Sequence, residues 1–380
     1  MKAIKYSVLF ITVILACTVL LTACISDKEP PTTTSGVTTS EDHGQNAIVT
    51  STNSDTCDFE KSPGLYDASG NLIASWDEFT YTYGIDLTED IPFEKIGDRS
   101  RKIIDPKLPN DATLVIGEID RIGERALAHC TKLKCIVIPN SVKSIGCSAF
   151  YYCKNLTSIT IPDSITSIEN DTFAACYALK NVKIPDSVTS IGDFAFYICA
   201  ALESIIIPDS VTSIGRGAFS NCDVLTNITL PNSIEIINYD SFSDCKRLSS
   251  ITIPDSVTSI CDGAFQNCYN LTNVTIGNKV TDIGGTAFRS CINLESITIP
   301  DSVTDIYFWA FIECSKLKSV IIGSGVKNIA WLAFSQCWDL ESIVFKGTVE
   351  EWNAITFGAD WNENVPATEV VCSDGVVKLK

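Results

Sequence analysis

Seventeen cysteines in 380 residues are the first potential chemistry in this chain. Ten of them, Cys130, Cys153, Cys176, Cys199, Cys222, Cys245, Cys268, Cys291, Cys314 and Cys337, follow one another at intervals of 23 residues without a slip. Thiols at such a spacing raise three chemistries: a metal site, a redox pair and a disulfide frame. Coordination needs thiolates converging on one point, whereas a fixed period stacks them in parallel, one per turn of chain. The same stacking disfavours disulfides, because neighbouring Cβ vectors do not face one another. The expectation is a ladder of small buried hydrophobes with inert thiols. Cys57, Cys135, Cys147, Cys261 and Cys372 lie off the ladder and cannot be paired from sequence.

Other reactive residues lead no further toward catalysis. Asp163, Asp186, Asp209, Asp255 and Asp301 recur in the same register. Calcium solenoids are built from Gly-rich nonapeptides and none occurs here, so these aspartates read as turn formers. Ser315-x-x-Lys318 matches a hydrolase string without a third partner. The two histidines, His43 and His129, read as a solvated and a partly buried structural side chain. P-loop, HExxH, GxSxG and strand-to-helix GxGxxG patterns are absent. Without a convergent nucleophile, base and orienting group, the chain is expected to be no enzyme and to need no cofactor. Its formal charge, 28 − 46 = −18, repels phosphate and excludes nucleic acid as an expected partner.

The elements that position these residues follow from the repeat. Leu stands three residues after each ladder Cys, from Leu133 to Leu340, and Phe three residues before it from Phe150 to Phe334, with Leu127 in the first unit. The unit reads C-x-x-L-x-S-I-x-I-P-D-S-V-T-S-I-G-x-x-A-F-x-x. Ile159 and Ile161, two apart, share one face of a strand, while Ser158 and Thr160 point the other way. Pro162 and Asp163 stop that strand. Ile165 and Ile168 turn inward in a second arm, and Phe173 and Cys176 close the coil from a short helical or 3₁₀ segment. One unit buries nothing alone, whereas ten stacked units share a core beneath a parallel β-sheet ladder at about 4.8 Å spacing. The fold class is therefore a repeat solenoid of 23-residue leucine-rich units, capped at both ends. Gly277, Gly323 and Lys346 replace the Pro in three units, and Asn238, Cys261, Tyr307 and Ala330 replace the Gly.

Here the unit resembles the BspA-like leucine-rich-repeat family, the IPxSVTxIGxxAFxxC type of bacterial and some protozoan surface proteins. That resemblance runs from about residue 112 to the C-terminus and implies an adhesin for host matrix proteins or other bacteria. The N-terminus carries a separate signature. Lys2 and Lys5 precede an uncharged stretch from Tyr6 to Leu21, which reads as a secretory signal. Its end, Leu21-Thr22-Ala23-Cys24, resembles the lipobox of bacterial lipoproteins and implies lipidation of Cys24 after cleavage before it. An uncleaved anchor and ordinary signal cleavage are the alternatives, and both still export the chain.

The organisation expected is a signal peptide over 1–23, a lipid-anchored disordered tether over 24–56 and an N-terminal capping module over 57–111. The solenoid occupies 112–346 and a C-terminal cap 347–380. The tether, with Pro30, Pro31 and Thr32 to Thr34, lacks the apolar side chains of a core. Gly64 to Ile73 reads as a hairpin with an Asp-Ala-Ser-Gly-Asn turn, and Trp352 and Trp361 as covers of the last coil.

These readings describe a protein lipid-anchored to the bacterial cell envelope, surface exposed, and acting as a protein-binding scaffold. The candidate binding face is the outer side of the strand ladder: Thr157, Thr160, Lys180, Lys183, Glu203, Thr226, Thr272, Glu295, Lys318 and Glu341, with Ile206, Thr252, Thr298 and Ile321 beside them. The expected partner is an extracellular protein or cell-surface ligand, and the membrane is met through the N-terminal lipid. Capture of a glycan is the alternative, with Trp309 and Trp331 as candidate aromatic surface.

Overall fold

The computed structural model describes residues 61–83, 86–90 and 108–379. The signal, Cys24, the tether and Cys57 lie outside them. Each repeat makes one coil of three arms. The first is a strand such as Ser158–Thr160, in which Ile159 faces the core and Thr160 faces solvent. One period on, Asn181–Lys183 lies parallel and in register, Ser158 beside Asn181 and Ile159 beside Val182. Strands from Ala112–Val115 to Asn227–Thr229 form one sheet, and those from Ser296–Ile299 to Glu369–Val371 another. Between them Ser250–Thr252 pairs with Asn273–Thr275. The second arm is a two-residue strand, Ser190–Ile191 lying between Ser167–Ile168 and Ser213–Ile214. The serine of the connecting turn ties coils together, Ser187 Oγ donating to the Ile165 carbonyl one coil back at 2.6 Å.

The third arm corrects an expectation. The short helical or 3₁₀ segment is instead a run of turns in which two residues per coil, four apart, have left-handed backbone. Asp171 (φ 55°) and Ala175 (58°) hold these places in one coil, Phe194 (55°) and Ile198 (57°) in the next. The reason lies in the N–H groups. Asp171, Phe173 and Ala175 donate to the carbonyls of Asp193, Ala195 and Tyr197 in the following coil at 2.7–2.9 Å, while Thr172, Ala174 and Cys176 bond three residues back. A helix would spend every amide on itself and leave none for the neighbour. The left-handed conformation costs about 1–2 kcal/mol for a residue with a side chain. Gly217 (57°) and Gly263 (68°) take it without that cost.

Inside the coil, the nine phenylalanines from Phe150 to Phe334 are fully buried. Successive rings stack with centroids 5.0–5.6 Å apart and planes within 18°. The ladder cysteines from Cys130 to Cys337 are buried and form no disulfide. From Cys153 onward each thiol donates to a carbonyl of the preceding coil: Cys176 Sγ to Phe150 O at 3.3 Å, Cys245 Sγ to Phe219 O at 3.2 Å, Cys337 Sγ to Phe311 O at 3.2 Å. Burial pushes the Cys314 thiol up to about 12 and those of Cys176, Cys222 and Cys245 well above their usual range.

Both ends are covered. The hairpin Gly64–Tyr66 and Leu72–Ser75 turns through Asp67, whose carboxylate accepts from the Ser69 and Asn71 amides. It adds antiparallel to the first solenoid strand, Leu65 beside Leu114, and the helix Trp76–Tyr83 buries Phe79. At the far end Thr348 and Glu351 form a capping box that starts the helix Val349–Asn353. Trp352 then packs on Phe345 at 5.3 Å, and Trp361 meets the last stacked ring, Phe334, edge-on at 6.2 Å. The closing strands Thr356–Phe357 and Glu369–Val371 remain parallel to those of the preceding coil.

Two outcomes follow from this core. Phe242→Ala removes two ring contacts and is expected to cost about 3–5 kcal/mol in denaturant unfolding; a loss under about 1 kcal/mol would contradict a close-packed stack. The second concerns alkaline stability. Unfolded thiols ionise near pH 9.0, and those of Cys176, Cys222, Cys245 and Cys314 in the folded chain higher. Above pH 9 the unfolded state therefore holds fewer protons than the folded one, and stability falls as pH rises, by about 1.4 kcal/mol per pH unit for each such thiol. Below that pH the contribution is fully present. Unfolding measured from about pH 8 to about pH 11 is expected to show this fall, shallower in the Cys222→Ala, Cys245→Ala double variant; equal slopes would contradict protonated buried thiols.

Candidate functional site

The strand arm sets the geometry of the candidate face. Alternation puts Leu, Ile and Val inward and leaves the residues between them outward. Thr160, Lys180, Lys183, Glu203, Thr226, Thr272, Glu295, Lys318 and Glu341 are all exposed, and Thr157 is half-buried. One period separates like positions, so they form two files along the ladder. Their chemistry is unequal. Thr157, Thr226 and Thr272 donate their hydroxyls to the Lys134, Glu203 and Ser249 carbonyls at 3.1–3.2 Å, one coil back. Lys318 pairs with Glu295 at 3.1 Å, which cancels both charges locally. Among the described residues Lys180, Lys183, Glu203 and Glu341 have no side-chain partner. Ile206 stands between Lys183 and Thr229 in the ladder and is 79% exposed, the largest value among the exposed large hydrophobic side chains.

Next to the strands, on the turn that follows each ladder cysteine, the same coils carry a depression of about 520 Å³. Tyr177, Ala200, Ala201, Val224 and Arg247 line it together with Glu203 and Thr226 of the candidate face. The sequence reading missed the first five. Their signal is a local break in the repeat: the position after the cysteine is Tyr177, Asp223, Lys246 or Tyr269 in nearby coils and Ala200 here.

The two tryptophans lie on the turn arm and meet at 5.3 Å, tilted by 42°. Trp331 is 45% exposed, but Trp309 is only half-buried, holds a left-handed backbone (φ 59°) and has a buried Nε1 without a partner among the described residues. Exposed Phe308 stands edge-on to Trp309 at 5.8 Å and covers Gly285, where a Cβ would come within 2.7 Å of its ring. With exposed Tyr307 these side chains make an aromatic shelf across two coils.

The thiols off the ladder differ from those on it. Cys147 and Cys261 are free and half-buried, both pushed up chiefly by burial, and Cys372 is free. Cys135 is disulfide-bonded. The turn aspartates Asp255 and Asp301 accept the Asn278 and Ser324 amides of the next coil at 2.7 and 3.0 Å, as turn residues do. Burial pushes Asp171, Asp240 and Asp262 above the usual carboxylate range, with Arg125 and Arg216 opposing the shift at the first two. Among the described residues no group of three or more His, Cys, Asp or Glu is placed to hold a metal ion. His129 packs between Tyr151 and Tyr152 at 5.4 and 5.1 Å.

Known proteins share this architecture. A leucine-rich repeat protein of Bacteroides ovatus is 29% identical and superposes with a TM-score of 0.58, covering 67% of this chain and 73% of its own. A leucine-rich cell surface protein of Faecalibacterium prausnitzii is 31% identical over 66% of this chain and 82% of its own, with a TM-score of 0.40. No curated protein matches. The family described as BspA type leucine rich repeat region matches residues 120–249 and 235–361, in six copies. Since those spans cover more than half of the sequence, and coil, period and core all agree with them, the chain belongs to the BspA-type leucine-rich repeat family.

Proposed function

We propose that this protein is a non-enzymatic adhesive scaffold, lipid-anchored through Cys24 and displayed on the cell surface, that binds host matrix proteins or other cells through the strand face. The observation that carries the reading is the continuous outer face from Thr157 to Glu341, exposed in every coil from Lys180 onward while the inward residues stay buried. A solenoid holds such a face rigid, so a partner meets many weak contacts without an ordering cost. Lys180, Lys183, Glu203 and exposed Ile206 concentrate unpaired charge and apolar surface in adjacent coils. Export is supported by the signal-like N-terminus and by the disulfide at Cys135, which belongs to an oxidising compartment. Membership of a surface-protein family agrees with that address.

The aromatic shelf of Tyr307, Phe308 and Trp331 favours a second reading, in which the scaffold captures glycans for nutrition. Binding of the full chain to immobilised matrix proteins and to bacterial cells separates the two. The adhesive reading expects saturable binding that Lys180→Glu with Lys183→Glu weakens at least tenfold and Trp331→Ala leaves unchanged. Binding to neither, or binding indifferent to the charge reversals, would overturn it.

A further inference from the structure

The depression beside the strand face shares Glu203 and Thr226 with it and adds residues of the turns. Its floor is Ala200 and Ala201, two small residues where neighbouring coils carry Asp223-Val224 and Lys246-Arg247. One wall is Tyr177, 40% exposed and held upright by edge contact with Tyr152 at 5.8 Å. The floor is tied to that wall, Ala201 N donating to the Tyr177 carbonyl at 3.1 Å. At the rim stand Glu203 and Arg247, both exposed and neither hydrogen-bonded nor ion-paired through its side chain among the described residues. The neighbouring Lys246, by contrast, is consumed by Asp223 at 2.9 Å. Its volume, about 520 Å³, lies in the range of small-molecule sites.

The rim chemistry narrows the ligand. An anion suited to Arg247 meets the Glu203 carboxylate in the same depression, and a cation suited to Glu203 meets Arg247. The acidic chain as a whole adds to the penalty on an anion. A neutral ligand rich in hydroxyls escapes both conflicts, because each hydroxyl donates to a carboxylate or accepts from a guanidinium. A pyranose also offers a face of C–H groups that packs on an aromatic ring such as Tyr177, and the alanine floor leaves room for it. We infer that the depression formed by Tyr177, Ala200, Ala201, Glu203 and Arg247 is a binding site for a neutral saccharide. The depression borders the strand face through Glu203 and Thr226, and it is distinct from the Trp331 shelf.

The test is calorimetry of the full chain with neutral hexasaccharides of glucose, mannose, galactose and xylose, and with hexagalacturonate as the acidic counterpart. At least one neutral hexasaccharide is expected to bind. Glu203→Gln and Arg247→Gln, both at exposed positions, are expected to weaken it at least tenfold each, and Ala201→Trp, which fills the floor, to abolish it with the circular dichroism spectrum preserved. A loss caused by Trp331→Ala while Glu203→Gln and Arg247→Gln leave binding intact would place the sugar on the aromatic shelf and overturn the proposal. Binding by none of the neutral sugars, binding by hexagalacturonate alone, or binding that survives both Glu203→Gln and Arg247→Gln would overturn the proposal.

Discussion

Each coil depends on handing its backbone groups to a neighbour. A 23-residue unit has no room for a helix that satisfies its own amides or for a core that closes on itself. All three arms therefore bond along the solenoid axis. On the strand arms amides donate to the previous coil, as Lys180 N does to Thr157 O, or to the next, as Ile253 N does to Thr275 O, and on the turn arm they donate to the next, as Phe173 N does to Ala195 O. The strict period follows from this exchange, since one inserted residue would throw every later bond out of register. Stacked Phe rings and the thiol that donates to the preceding Phe carbonyl fill the interior at that same rise.

That constraint divides the residues into two populations. Inward positions hold Leu, Ile, Val, Phe, Ala and Cys with an occasional Ser or Thr and repeat with little change, whereas outward positions are free to differ from coil to coil. Specificity in such a molecule is written as departures from the repeat. The Ala200-Ala201 step, exposed Ile206 and the run Tyr307-Phe308-Trp309 are departures of this kind, and each lies where the frame is otherwise regular. Even the threonines nominated for binding are partly committed to the frame, since Thr226 spends its hydroxyl on the Glu203 carbonyl.

Much of this was legible in the sequence. The spacing of Leu156, Ile159 and Ile161 states which face of the strand is buried, and Cys at a period of 23 states that the thiols lie parallel. What could not be read was backbone conformation. Asp171, Phe194, Thr286 and Trp309 share one left-handed position and have nothing in common as side chains, so no residue-type signal marks it. The hydrogen bond from each thiol was hidden for a related reason, because its acceptor is a backbone carbonyl 26 residues earlier. The depression beside Glu203 escaped because it is made by an absence of bulk, which carries no motif. Trp309 looked like a surface residue from its variable position, yet its ring is partly covered by Trp331 and Phe308.

The turn arm is a third hydrogen-bonded ladder and not a string of loops. Amide hydrogen exchange resolved to individual residues tests it most directly. If Asp171, Phe173, Ala175 and their equivalents donate to the next coil, their amides are expected to exchange as slowly as those of Ile159 and Val182 in the strands, with protection weakest in the end coils. Exchange at the rate of exposed turns across the central coils would contradict the account.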